Sequence, residues 1–367
     1  MQCVSDCLLV RLAFGRTEKF RGRQARPDLP EFLDLISARR EFYTHPTALP
    51  TVERGSIKLD LHRRDFTINT LALRLDGRHY GDLHDYWGGM HDLRQGIIRV
   101  LHSLSFVDDP TRMLRAVRFE QRFGFHIEGR TLELMGEARP LMARVTGDRI
   151  RHEIDHILEE ERTHLMLERA AKLDLLAAIH PDLHWDAWLA ARFQKLNSIE
   201  PQPEWGLEKA MKGLSSRIRL AYILWLIRLS TARSSNVMTR LTIPVYLSDE
   251  VLAARRLWRD LSLLHDMSPS QLVSRLDGVF PLALYAVYLA TEDEHTRRLL
   301  WEYCSHWQHI APVTTGHDLR TRGLPASPRY KQILSTLRDA WLDGKIHSEA
   351  EEKALLDQLL SDPKNAG

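Results

Sequence analysis

Between Phe32 and Ile36 the chain runs apolar, apolar, acidic, apolar, apolar, then breaks into "SARRE". That run predicts a strand leaving into a loop. "TLALRLDGRHYGDLHDYWGG" alternates through its first six residues and then meets Asp-Gly-Arg, the pattern of a hairpin. After Gly124 the period changes. "RTLELMGEARPLM", "GDRIRHEIDHILEEE", "HLMLERAAKLDLLAAI", "RIRLAYILWLIRL" and "DEVLAARRLWRDLSLL" all space apolar residues at i, i+3 and i+4, which predicts amphipathic helices. Breaks are expected at "NSIEPQPEW", "TIPVYLSDE" and "GHDLRTRGLPASPRY". The pattern therefore predicts a small α/β portion followed by a long all-α portion, without internal repeats.

Composition narrows the function classes. The 367 residues are 44% hydrophobic and 27% charged, enough for two or more globular domains. Net charge is only +2, so any nucleic-acid surface must be local. Cys3, Cys7 and Cys304 make neither a disulfide framework nor a zinc pair, which suits a cytoplasmic protein. No segment approaches the ~18 uncharged apolar residues of a membrane helix, and the N-terminus lacks a signal-peptide pattern. "LAYILWLI" reads as a buried helix between arginines.

The chemistry concentrates in "SFVDDPTRMLRAVRFEQRFGF", Ser105–Phe125. Asp109 before Pro110 is a strong helix start. At about 100° per residue, Arg112, Arg115, Arg118 and Arg122 share roughly a third of the helix circumference. A capped helix with a solvated basic side fits this spacing, and so does a nucleotide site. A carboxylate accepts and an arginine fork donates, so together they can read a base edge while further arginines take phosphates. Cytosine and adenine present an amino donor beside a ring-nitrogen acceptor; uracil and guanine present the reverse order. A mismatch leaves buried polar groups unpaired, at ~1–3 kcal/mol each.

"DDPTRMLRAVRFEQRFGF" resembles the Glu-Asp-x-x-Arg motif of bacterial-type (class II) tRNA nucleotidyltransferases and related poly(A) polymerases, with Asp108 in place of the usual Glu. The resemblance implies that Asp109 and Arg112 template the incoming CTP or ATP, with Arg115 and Arg118 as phosphate contacts. "RRDFTINTLAL" is similar to the family's Arg-Arg-Asp-Phe-Thr-Ile-Asn-Ala signature. It implies Arg64 and Asp65 near ribose and phosphates, and Asn69 as a structural anchor. "DYWGGMHDLRQGIIRVLH" resembles the loop and strand joining head to neck, with Gly88 and Gly89 as a hinge or a tight turn. "RVTGDRIRHEI" resembles the closing neck helix. "TGHDLRTRGLPASPRYKQILSTLRDAWLDGKI" resembles the tail, with Arg320, Arg322, Arg329 and Lys331 available to an RNA backbone.

These likenesses imply an incomplete nucleotidyltransferase-type mixed sheet over 1–102, a helical neck over 103–165, a helical body over 166–310 and a tRNA-binding tail over 311–367. The implied reaction adds C and/or A to tRNA 3′ ends, with release of pyrophosphate. It needs Mg²⁺ held by carboxylates, a duty of an Asp-x-Asp pair in the family. The sequence contains no Asp-x-Asp, and no Gly-Gly before Gly88. "LAFGRTEKF" resembles the strand after the metal pair, and Asp34 falls where a third carboxylate belongs, with Glu41 second. The chain is thus expected to lack the first part of the head, and to be weakly active or inactive. The alternatives are a non-catalytic RNA-binding remnant and a poly(A) polymerase of the same family. A metal-dependent phosphohydrolase is a further reading, resting on His84–Asp85, His91–Asp92, His265–Asp266 and His317–Asp318; a helical scaffold is the last.

Overall fold

The computed structural model describes residues 9–13, 32–42, 51–198, 201–207, 210–211, 213–325 and 327–361. The chain divides into two compact units, Met1–Trp185 and Asp186–Gly367.

The first unit opens with short antiparallel ladders. β1 (Leu9–Ala13) pairs with β2 (Phe32–Ile36), and β3 (Arg39–Phe42) with β4 (Thr51–Arg54). The predicted hairpin is present but brief: β5 (Ala72–Leu73) pairs antiparallel with β6 (Leu83–His84) across a turn at Gly77–His79. Among the described residues strands pair two at a time. α1 (Ile57–His62) starts at Ser56, whose hydroxyl accepts from the Leu59 amide. Buried Asp60 then takes both the Arg39 amide and the Arg63 guanidinium, tying α1 to β3.

Gly88 and Gly89 form a packed corner. Gly88 has φ +74°, and a Cβ on Gly89 would lie 2.3 Å from the Thr67 carbonyl oxygen. Asp85 accepts from the Gly89 and Met90 amides at the head of α2 (Gly89–Gln95). The close carbonyl excludes any side chain at Gly89, and the positive φ favours glycine at Gly88. A parallel pair, β7 (Ile97–Ile98) with β8 (His126–Ile127), brackets α3 (Ser105–Asp108) and α4 (Arg112–Phe123).

α5 (Gly129–Ala138), α6 (Gly147–Glu159), α7 (Thr163–Lys172) and α8 (Leu175–Ile179) complete the unit. Met113, Val117, Ile150, Ile154, Met166 and Leu167 are fully buried, as their i, i+3, i+4 spacing requires. The continuous helix suggested by "HLMLERAAKLDLLAAI" is broken at Asp174, which has φ 56°. An expected boundary at 165 falls inside α7, whose Arg169 pairs with buried Glu120 of α4 at 2.7 Å; this packing carries the compact unit on to Trp185.

The second unit is nearly all helix. In α9 (Ser216–Leu226) every residue from Ile218 to Leu226 is buried, as a helix without a polar face demands. Arg219 reaches Glu250 on α10 (Val245–Arg259), the chelated pair being sealed inside. Two expected breaks are present but shorter than their segments, with residues 241–244 and 322–325 outside helix. α10 starts directly after Pro244 within "TIPVYLSDE". Gly316–Thr321 is helical because Thr315 and Asp318 form a capping box. Leu319, Ile333, Leu337 and Leu356 make a small core beneath that last region.

Candidate functional site: a polar cleft on α4 and α6

α4 supplies the centre of the site. The Asp109 carboxylate accepts from the Thr111 amide at 3.0 Å and its hydroxyl at 2.7 Å. Regular helix begins at Arg112, after a turn in which the Arg112 amide reaches the Asp109 carbonyl. So Asp109 does serve the helix start, and Thr111 fixes the orientation of its carboxylate.

A cleft of about 570 Å³ opens in front of this turn, lined by Asp109, Thr111, Arg112, Arg115, Phe119, Arg149 and Glu153, with Glu41, Arg63, Arg64, Asp65 and Asn69 from the head. Asp109 and Arg112, placed by sequence at one helix entrance, thus face the same space. Arg112 is buried, donating to Ser105 Oγ at 2.7 Å and to the Arg63 carbonyl at 2.8 Å. These bonds hold the guanidinium plane rigid while using two of its five N–H donors. The solvated-stripe reading fails for α4: Arg112 and Arg118 are buried and only Arg122 is half-exposed. Arg112 and Arg115 line the cleft, whereas Arg118 and Arg122 lie outside its lining.

Asp65 is an internal hub. One oxygen accepts from the Phe66 amide and from Asn69 Nδ2 at 2.7 Å, and the other from Arg115 Nε at 2.7 Å. Its carboxylate is buried and satisfied from within, so it orients Arg115. Arg64 is more exposed, reaching the Asn69 carbonyl at 3.3 Å and Asp60 at 3.4 Å.

Among the cleft residues that escaped the sequence reading are two charged ones on α6, Arg149 and Glu153. Arg149 pairs with Asp109 at 2.8 Å. Glu153 lies between Arg115 and Arg118 at 3.5 and 3.7 Å. The signal that could have found them is their i, i+4 spacing on α6 beside the apolar pair Ile150 and Ile154, which marks charges on a packed face. Burial pushes the Glu153 carboxyl above its ordinary value, more than the two arginines lower it. Burial likewise lowers Arg118. Among the described residues Glu153 Oε2 and Arg118 Nε have no hydrogen-bond partner, so this part of the network is under-satisfied.

Asp108 faces a second cavity, with His62, His102 and Arg112. Burial raises Asp108 and lowers His102, whose ring stacks on His62 at 5.6 Å.

The cleft is almost charge-balanced: five arginines face four carboxylates. Those carboxylates do not suit a dication. Asp65 is satisfied by Arg115, Asp109 is held by Arg149, and Glu41 lies against Arg39 and Arg63 at 3.1 and 2.8 Å. Asp34 is in β2, paired in register with Arg11; its side chain lies outside the described residues. Among the described residues no three His, Cys, Asp or Glu groups form a metal cluster.

The His-Asp dipeptides do not converge on a hydrolase site either. Asp85 and Asp318 cap helices, Asp92 binds Thr67 and Arg99, and His265 contacts Asp293 and Thr296. Of the tail cations, Arg320, Arg322 and Lys331 are exposed. Arg322 pairs with Asp357, and Arg329 reaches the Leu359 carbonyl.

Residues 9–99 match the family described as the poly A polymerase head domain. Residues 124–186 match the probable RNA and SrmB-binding site of polymerase A. The chain is 35% identical to an A-adding tRNA nucleotidyltransferase of Geobacter sulfurreducens, over 89% of this chain and 38% of that protein. It is 32% identical to the A-adding tRNA nucleotidyltransferase of Halalkalibacterium halodurans, over 87% of this chain and 72% of that one. So it spans well under half of the first relative and nearly three quarters of the second. An apo CCA-adding enzyme superposes with a TM-score of 0.72 at 30% identity, over 89% of this chain and 77% of the other. The Thermotoga maritima CCA-adding enzyme complexed with tRNA gives 0.68 at 30% identity, over 83% and 74%. No single helix among the described residues is long and apolar enough to cross a membrane.

Proposed function

Because the chain belongs to the family of tRNA nucleotidyltransferases and poly(A) polymerases, we propose that its cleft takes an incoming CTP or ATP by the base edge. The observation that carries this is the meeting of Asp109 and Arg112 in one cleft, each already held in place by protein partners. Preorganisation means that little ordering free energy is lost on binding. Asp109 accepts from the exocyclic amino group and Arg112 donates to the ring nitrogen. Guanine or uracil would set acceptor against acceptor and donor against donor.

Base entry must loosen the Asp109–Arg149 pair, so Arg149 holds the reading carboxylate in register until a base replaces it. Arg64 and Arg115 are the phosphate contacts, with Asp65 positioning Arg115; Arg118, buried beside Glu153 and outside the cleft lining, supports Arg115 from behind. Exposed Arg320, Arg322 and Lys331, together with Arg329, contact the phosphates of a tRNA in the second unit. Similarity to A-adding relatives supports adenosine as the preferred addition.

Mg²⁺, which the reaction requires, finds no suitable carboxylate set among the described residues. On this reading the chain binds nucleotide and RNA but transfers weakly or not at all. The test is calorimetry with ATP, CTP, GTP and UTP, alongside Mg²⁺-dependent labelling of tRNA by radiolabelled ATP or CTP. ATP or CTP bound about tenfold or more tighter than GTP, matching ~1.4 kcal/mol or more of discrimination, supports the template. Equal binding of all four overturns it. Robust labelling would refute the inactivity.

A further inference from the structure

On the exposed side of α6, away from the packed Ile150 and Ile154, His152 and His156 stand one helical turn apart. Their Nε2 atoms lie 3.2 Å apart, with ring centroids 4.5 Å apart and planes at 73°. Neither ring has another hydrogen-bond partner among the described residues. Side chains at i and i+4 of a helix are neighbours, about 5–6 Å apart at Cβ. Here the two ring nitrogens converge.

That convergence is the geometry of a chelate. An imidazole nitrogen binds zinc at about 2.0–2.1 Å, so nitrogens 3.2 Å apart would subtend about 100–105° at one ion, close to a tetrahedral angle. We propose that His152 and His156 form a bidentate site for an imidazole-preferring divalent cation of the Zn²⁺, Ni²⁺ or Cu²⁺ class, with water completing its coordination. The ligand type excludes Mg²⁺, a hard cation that takes oxygen donors. The site is therefore separate from the metal requirement of nucleotidyl transfer.

Its position gives it a consequence. α6 also carries Arg149 and Glu153, which line the nucleotide cleft, and His152 borders the space beside them with Asp109 and Asp148. An ion bridging one turn of α6 stabilises that turn by binding only the folded form. Nearby Arg115 and Arg118 oppose a dication, but each faces Glu153, and Arg118 also faces Glu160, so their field is partly neutralised.

The experiment uses the untagged full chain. Thermal melts are recorded with added Zn²⁺, Ni²⁺ or Mg²⁺, and Cu²⁺ is titrated with electron paramagnetic resonance detection. The parent chain should melt several degrees higher with Zn²⁺ or Ni²⁺ and show no comparable rise with Mg²⁺. Its first equivalent of Cu²⁺ should show two equatorial nitrogens. In His152→Gln/His156→Gln the rise and that signal should disappear, while the metal-free melt and ATP binding stay as in the parent. A rise and a two-nitrogen signal unchanged in the double variant, or absent from the parent, would overturn the proposal. A double variant that melts abnormally without metal is replaced by His156→Asn alone, judged on the same signal.

Discussion

The cleft of the first unit and the tail of the second both carry arginines suited to nucleic-acid phosphates, yet they are built differently. On α4 the cleft arginines belong to a largely buried network: Arg112 on Ser105 and a main-chain carbonyl, Arg115 on Asp65, with Arg118 behind them beside Glu153. In the tail Arg320 and Lys331 are exposed and Arg322 makes one surface pair. Fixed donors discriminate between bases, because a mismatch cannot relax. Exposed donors on flexible stems follow a phosphate backbone without reading sequence.

That contrast breaks most visibly at Asp65. Asp65→Ala strips Phe66, Asn69 and Arg115 of a common acceptor, and urea unfolding should show a loss of about 3 kcal/mol, the low end for a broken buried pair, because Arg115 keeps Glu153. Asp109→Ala should cost about 1 kcal/mol of stability through the lost helix-start bonds, reduce ATP affinity about tenfold or more and abolish preference over GTP, as calorimetry would show. If ATP keeps its advantage, base reading lies elsewhere.

Glu153 supplies a pH test. Its carboxyl is raised by burial, so the folded state holds that proton more tightly than the unfolded chain does. The associated penalty is absent below the ordinary value near 4.5 and grows as pH rises from there towards the raised folded value. Glu153→Gln should therefore gain melting temperature relative to the parent as pH increases across that window. A difference independent of pH would mean that Glu153 stays charged in the fold. The smallest effect is expected in the tail. Arg320→Ala or Lys331→Ala should weaken tRNA binding alike for all sequences and reduce the slope of log affinity against log salt by about one, with ATP binding unchanged.

The sequence alone was enough for the helical second half, because apolar spacing at 3.6 residues is local, and for the Asp109–Arg112 juxtaposition, because both lie on one helix entrance. It also carried the family motifs. It could not show that Asp65 faces inward to Arg115, fifty residues away, or that Arg149 and Glu153 close the cleft from another helix. Those contacts join residues with no shared periodicity. Nor could the pattern separate a solvated arginine stripe from a buried one: spacing fixes which side chains share a face, while burial depends on what packs against it. The capping box at Thr315 and the sharp φ at Asp174 were similarly decided by local hydrogen bonds and chain reversal, which hydrophobic spacing does not encode.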